Sequence, residues 1–194
     1  MRLVLLGAPG SGKSTQAARL KTALGVPHIS TGDMLRAAVA AGTAMGLKAK
    51  AVMDAGQLVS DDILLGMLEE RLAQADAKAG FILDGYPRNL AQADALDQLL
   101  AKIGQPLDAV IKLEVPNEAI IRRCEIRFAA EGRADDNPDT VRRRLGIFAE
   151  QTAPVADFYA RRGKLQVVDG VGELDEVTAR IKQALQRDPA VANG

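Results

Sequence analysis

The chain has 194 residues, enough for one compact core with small appendages and too few for two independent domains of ordinary size. Lysine plus arginine and aspartate plus glutamate both total 25, so the formal charge is zero and no long-range field draws the chain to nucleic acid or anionic lipid. Aromatic residues make up 3%, with no tryptophan to stack on single strands, and the lone Cys124 excludes an internal disulfide or a multi-cysteine zinc knuckle.

The first apolar run, residues 3–6, is shorter than the roughly 7–15 residues of a signal-peptide core. No later segment approaches about 18 uninterrupted apolar residues, so a cytoplasmic protein without a membrane span is expected. The run leads into Gly7-Ala-Pro-Gly-Ser-Gly-Lys-Ser-Thr15, which matches G-x-x-x-x-G-K-[ST] in full. Its glycines let successive N–H groups point at phosphate oxygens, and the following helix adds its positive end. This pattern predicts a bound nucleoside triphosphate, with Lys13 on the outer phosphates and Ser14 on a magnesium ion.

A second strand is predicted near residues 27–30. It carries His28, the one histidine, which stands apart from every phosphate motif in sequence and reads as a packed or capping residue. Residues 30–59 form a helical excursion outside the strand and helix alternation. The next apolar strand, residues 81–83, ends on Asp84, which suits magnesium reached through water or, alternatively, a helix N-cap. Gly85 favours the metal reading by permitting close ligand approach. Gly85-Tyr86-Pro87-Arg88 then aims a guanidinium, whose fork binds two phosphate oxygens, although a surface ion pair with Asp84 or Asp94 is the plainer reading.

Strands at 109–113 and 165–168 complete an alternation that predicts an α/β fold: a five-stranded parallel sheet flanked by helices, with ligands on the edge bearing the phosphate loop. Between them, residues 127–136 are predicted as a polar loop. The helix over about 139–159 has a buried seam of Val141, Leu145, Phe148, Thr152, Val155 and Tyr159. At about 100° per residue, Arg144 lies roughly 60° from that seam, against about 100° for Arg142 and 200° for Arg143. Closure of the loop would bring Arg127 and Arg133 onto the same phosphate as Arg144. A phosphate acceptor, with its second pKa near about 6, arrives anionic and needs arginines more than a base.

Residues 7–15, 29–36, 56–59, 84–88, Gln92 and 132–137, in this order and spacing, resemble the bacterial adenylate kinases over nearly the whole chain. The resemblance implies a P-loop three-layer fold and magnesium-dependent transfer of the γ-phosphoryl of ATP to AMP, giving two ADP. It implies a core of residues 1–29, 60–125 and 137–194, an AMP-binding cover at 30–59 and a lid at 126–136. On the ATP side it implies Gly10, Ser11, Gly12, Lys13, Ser14 and Thr15, Arg123 or Arg127 from the lid, and Gly172 against the adenine. On the AMP side it implies Thr31, Arg36, Gln57, Leu58, Val59, Gly85, Tyr86, Pro87, Arg88, Gln92, Arg133 and Arg144.

The predicted lid is short and lacks the inserted segment that in some relatives binds zinc, so no zinc is expected. A monomer without nucleic-acid or membrane partners is expected as well. Asn89 stands where adenylate kinases often have threonine and uridylate or cytidylate kinases often have asparagine, which makes a UMP/CMP kinase the alternative. Thr31 and Gln92 favour adenine. No Asn-Lys-x-Asp guanine signature occurs, which argues against a switch GTPase.

Overall fold

The computed structural model describes residues 1–186 apart from 43, 56, 58, 134 and 135. Five parallel strands, β1 (Arg2–Gly7), β2 (His28–Ser30), β3 (Phe81–Asp84), β4 (Ala109–Glu114) and β5 (Leu165–Asp169), form a sheet in the order β2-β3-β1-β4-β5. Each predicted strand is present, four of them a residue or so longer than its apolar run. Along β1 the side chains alternate between faces: Val4 and Leu6 join one apolar cluster, Leu3 and Leu5 another. Both faces are therefore covered, which is why the strand reads as a continuous apolar run. Each fully buried leucine contributes about 1.5–3 kcal/mol to holding the helices on the sheet.

Helices α1 (Lys13–Leu24) and α9 (Leu174–Gln186) cover the Leu3 face, and α4 (Asp61–Leu72), α5 (Leu90–Lys102) and α8 (Ala153–Ala160) cover the other. The sheet's order reverses at β1, between β3 and β4, and the crevice at that point opens at the carboxyl ends of the strands.

Two excursions leave this edge. Helices α2 (Thr31–Ala40) and α3 (Ala44–Asp54) follow β2 directly, with Ser30 as N-cap accepting a hydrogen bond from the Asp33 amide. They pack backbone to backbone, since a Cβ on Gly46 would lie 2.2 Å from the Ala38 carbonyl oxygen. The second excursion joins α6 (Asn117–Glu131) to α7 (Pro138–Ile147). The loop predicted over 127–136 is corrected here: its first five residues continue α6, which stops only at Gly132, a left-handed C-cap whose amide donates to the Phe128 carbonyl.

The long helix predicted to Tyr159 is also divided. Between α7 and α8 lies a π-helical stretch, Phe148–Thr152, separated by Ala153 from Pro154, which has no N–H for the regular ladder and whose ring crowds the preceding turn. Among the described residues no helix is long and apolar enough to cross a membrane.

Candidate active site

The phosphate loop leaves the central strand and passes into α1 through Gly12, its left-handed N-cap. Lys13 folds back over the loop and donates from Nζ to the carbonyls of Gly7, at 2.7 Å, and Ala8, at 2.9 Å. Burial pulls its ammonium down to about 8; attraction to Asp84 opposes this, and repulsion from Arg88, Arg144 and Arg127 adds to it.

Ser14 Oγ donates to Asp84 Oδ2 at 2.5 Å. Asp84 is 3% exposed at the end of β3, paired across the sheet with Leu5 of β1. Burial pushes its carboxyl up, but His28, Lys13 and Ser14 together outweigh that and hold it below the ordinary carboxylate range. The N-cap alternative for Asp84 does not hold, because Asn89 caps the helix that follows. The expectation that His28 stands apart from the phosphate motifs is corrected too. Its Nε2 lies 3.4 Å from Asp84 Oδ2, because β2 pairs with β3 in a register that sets His28 beside Ile82 and Ser30 beside Asp84. That adjacency follows from strand order, which local sequence does not carry.

A hydroxyl and a carboxylate in contact at the end of the phosphate loop form an all-oxygen pair of the kind magnesium takes together with substrate phosphates. Among the described residues no three of His, Cys, Asp and Glu gather as a metal-binding group.

Gly85 has φ +83°, and a Cβ there would lie 2.7 Å from the Thr31 hydroxyl, so only glycine fits between β3 and the start of α2. After the cis Tyr86–Pro87 peptide, Arg88 Nε donates to the Gly85 carbonyl at 2.8 Å, and the Arg88 carbonyl accepts from Thr152 Oγ1 at 2.6 Å. The backbone is thus held from both sides. A cleft between the phosphate loop and this turn is lined by Lys13, Arg88 and Arg144, with Leu5, Tyr86 and Phe148 as apolar walls. The Tyr86 hydroxyl has no hydrogen-bond partner among the described residues, and burial with the nearby Asp61 pushes its pKa up to about 12.

Three guanidiniums meet on one carboxylate. Asp136 is 0% exposed; Arg127 grips both of its oxygens, and Arg133 Nε and Arg144 Nη1 each stand 3.8 Å away. Arg144 is the inward arginine of its triplet, its side chain 17% exposed against 68% for Arg142. Arg143 turns to the first excursion, donating to the Ala55 carbonyl at 2.6 Å.

The family model for adenylate kinase matches residues 5–164. The chain is 68% identical over 186 residues to the adenylate kinase of Stenotrophomonas maltophilia strain R551-3 and 67% identical over 187 residues to that of Xanthomonas euvesicatoria pv. vesicatoria strain 85-10. Each alignment spans 96% of this chain and 100% of the relative. The chain belongs to the adenylate kinase family.

The other residues to which family resemblance assigns a role are dispersed differently. Arg123 lies on α6, ahead of residues 126–136, and bridges the Ser11 carbonyl at 3.3 Å and the Gly170 carbonyl at 3.1 Å. It thereby ties the phosphate loop to the turn holding Gly172, whose φ is +118°. Ser11 is buried with an unpartnered hydroxyl among the described residues, Gly10 is part-buried and Thr15 is exposed. Of the residues that the resemblance assigns to AMP, Thr31 and Val59 are buried, while Gln57 is exposed and Arg36 pairs with Asp33 at 2.5 Å on the exposed face of α2. Leu58 lies outside the described residues. Gln92 is wholly buried: its Oε1 accepts from the Arg88 amide at 2.7 Å, and its Nε2 donates to Asp61 Oδ1 at 2.7 Å.

Sequence reasoning missed Asp61, His28 and the gathering role of Asp136. Asp136 lay in a recognised motif, and a buried carboxylate among arginines was its available signal.

Proposed function

We propose that the chain catalyses reversible transfer of the γ-phosphoryl group of ATP to AMP, forming two ADP and so balancing the adenine nucleotides. The observation that carries this reading is the convergence of Lys13, Arg88 and Arg144 on one cleft, with Arg127 and Arg133 held beside it on Asp136. An oxygen of the AMP phosphate attacks the γ-phosphorus, the bond from that phosphorus to the β,γ-bridging oxygen breaks, and its electron pair stays on the departing ADP. No proton need be removed from the attacking oxygen.

Lys13 and the backbone amides of residues 10–15 hold the donor phosphates, and Arg88 receives the acceptor phosphate. Arg127, Arg133 and Arg144 exchange the Asp136 carboxylate for the oxygens of the group in flight, where their forks offset its spreading charge. Ser14, and Asp84 through water, suit a magnesium ion carried in with ATP, which would neutralise the β- and γ-phosphate oxygens. Arg123 and Gly172 border the ATP side; Thr31, Arg36, Gln57, Leu58, Val59, Gly85, Tyr86, Pro87 and Gln92 form the AMP side. Residues 30–59 act as the AMP cover and 126–136 as the lid over one core, in a cytoplasmic monomer without nucleic-acid or membrane partners.

The test is to mix the protein with MgATP and each of AMP, CMP and UMP and to resolve the products. AMP is expected to have the highest kcat/KM; preference for CMP or UMP overturns the acceptor assignment. Chelation should abolish turnover and magnesium alone restore it, with less than stoichiometric zinc on elemental analysis. A sedimentation run giving one species of chain mass tests the monomer.

A further inference from the structure

We propose that Asp61, the first residue of α4, fixes which way round the Gln92 amide stands and so makes the acceptor site select a base bearing an amino group over its oxo counterpart. The inference rests on the AMP reading above and concerns a residue that reading leaves unused.

Gln92 has two partners of opposite and fixed character. The Arg88 backbone N–H is only a donor and meets the amide oxygen at 2.7 Å; the Asp61 carboxylate is an acceptor and meets the amide nitrogen at 2.7 Å. Turning the amide over would set N–H against N–H at Arg88 and oxygen against oxygen at Asp61. Gln92 is 0% exposed, so water cannot relieve either mismatch. Asp61 Oδ1 also takes Asn89 Nδ2 at 3.4 Å, and Asn89 Oδ1 accepts from the Gln92 backbone amide at 2.8 Å, which steadies the acid and the start of α5 together. Asn89 therefore has structural work here that requires no pyrimidine.

Each amide atom keeps one hydrogen-bonding valence: an acceptor on the Arg88 side and a donor on the Asp61 side. A base making two hydrogen bonds to this amide must present a donor to the oxygen and an acceptor to the nitrogen. Adenine does so with its 6-amino group and N1. Hypoxanthine, of nearly identical shape, carries a 6-oxo group and N1–H, the same pair reversed. Because Gln92 is buried, a base reaches it only as its surroundings part, and Asp61 then keeps the amide from turning to suit either base.

The experiment compares kcat/KM for AMP and for IMP, with MgATP, in the parent and in Asp61→Asn, Asp61→Ala and Asp61→Glu. The parent should prefer AMP. Asp61→Asn and Asp61→Ala remove one of the two constraints, and the AMP/IMP ratio should fall about tenfold, the scale of one hydrogen bond to a charged group. Asp61→Glu, which retains an acceptor-only group, should keep most of the preference. A loss shared equally by AMP and IMP is what a merely structural Asp61 gives, and it overturns the proposal, as does an unchanged ratio. Absence of a thermal unfolding transition in both Asp61→Asn and Asp61→Ala assigns Asp61 to folding and overturns it as well. A parent that does not phosphorylate AMP fails the enzymatic reading itself, an outcome distinct from these.

Discussion

Two buried carboxylates organise the two halves of this site by different means. Asp84 stands at the end of a central strand, against a hydroxyl, an imidazole and the field of one lysine, all held by the sheet and α1. Asp136 stands in the connection between α6 and α7 and is surrounded by three long arginine side chains. The first arrangement is set by backbone position. The second is a set of charge pairs that a phosphate can replace one for one. On the proposed reading the site joins a receptor for the donor, fixed by the sheet, to an exchangeable cluster for the group being moved.

The most severe way to break the rigid half is Lys13→Met, which removes the charge on the outer phosphates and leaves the backbone cradle. We expect kcat to fall by about 10³-fold or more with the fold intact, measured by steady-state kinetics beside circular dichroism. A loss within about tenfold would show that the cradle alone does this work.

For the exchangeable half, Asp136→Ala leaves three guanidiniums without the carboxylate they share. Breaking a buried ion cluster from one side should cost about 3 kcal/mol of stability, read from urea unfolding. Saturating ATP and AMP should recover much of it, because phosphate oxygens substitute for the lost acid. Equal destabilisation with and without nucleotide would break the idea of exchange.

Arg144→Lys sharpens the comparison by keeping charge and removing the fork. We expect kcat lowered by about 10²-fold, since lysine recovers only part of what a transfer-stabilising arginine supplies. Arg142→Lys, on the exposed face with Asp139, should stay within about twofold under the same assay, and similar losses at both positions would show that net charge suffices.

The smallest effect belongs to the acceptor pocket. Gln92→Ala should weaken AMP use by about 0.5–1.5 kcal/mol in kcat/KM, the scale of one neutral hydrogen bond. A loss confined to kcat at saturating AMP would place Gln92 with the transferring groups instead of the base.

What the amino-acid sequence alone carries follows the same division. The strands, the phosphate loop, Asp84 and the inward phase of Arg144 were legible because each depends on local pattern: apolar runs, glycine spacing, a carboxylate at a strand end, helical periodicity. His28 was misplaced because its neighbour comes from the next strand in the sheet, fifty-six residues away. The predicted 127–136 loop is too long because Arg127, Ala129, Ala130 and Glu131 are good helix formers, and the helix ends only at Gly132. Gln92 is assigned to AMP by resemblance, but its hydrogen bond to Asp61 joins two helices thirty-one positions apart, which local sequence does not carry.

The contact of α2 with α3 at Gly46 constrains how this excursion can move. With the Ala38 carbonyl against Gly46 and no side chain between the two backbones, there is nothing at the crossing to compress or to swing into another rotamer. The pair behaves as a plate. Any displacement of the pair would be taken up by backbone rotation at its root, the capped junction of β2 with α2. Asp61 opens α4, the next element after this pair, so on the proposed reading the residue that holds the Gln92 amide in place is anchored in the core helix that follows the pair and not in the pair itself.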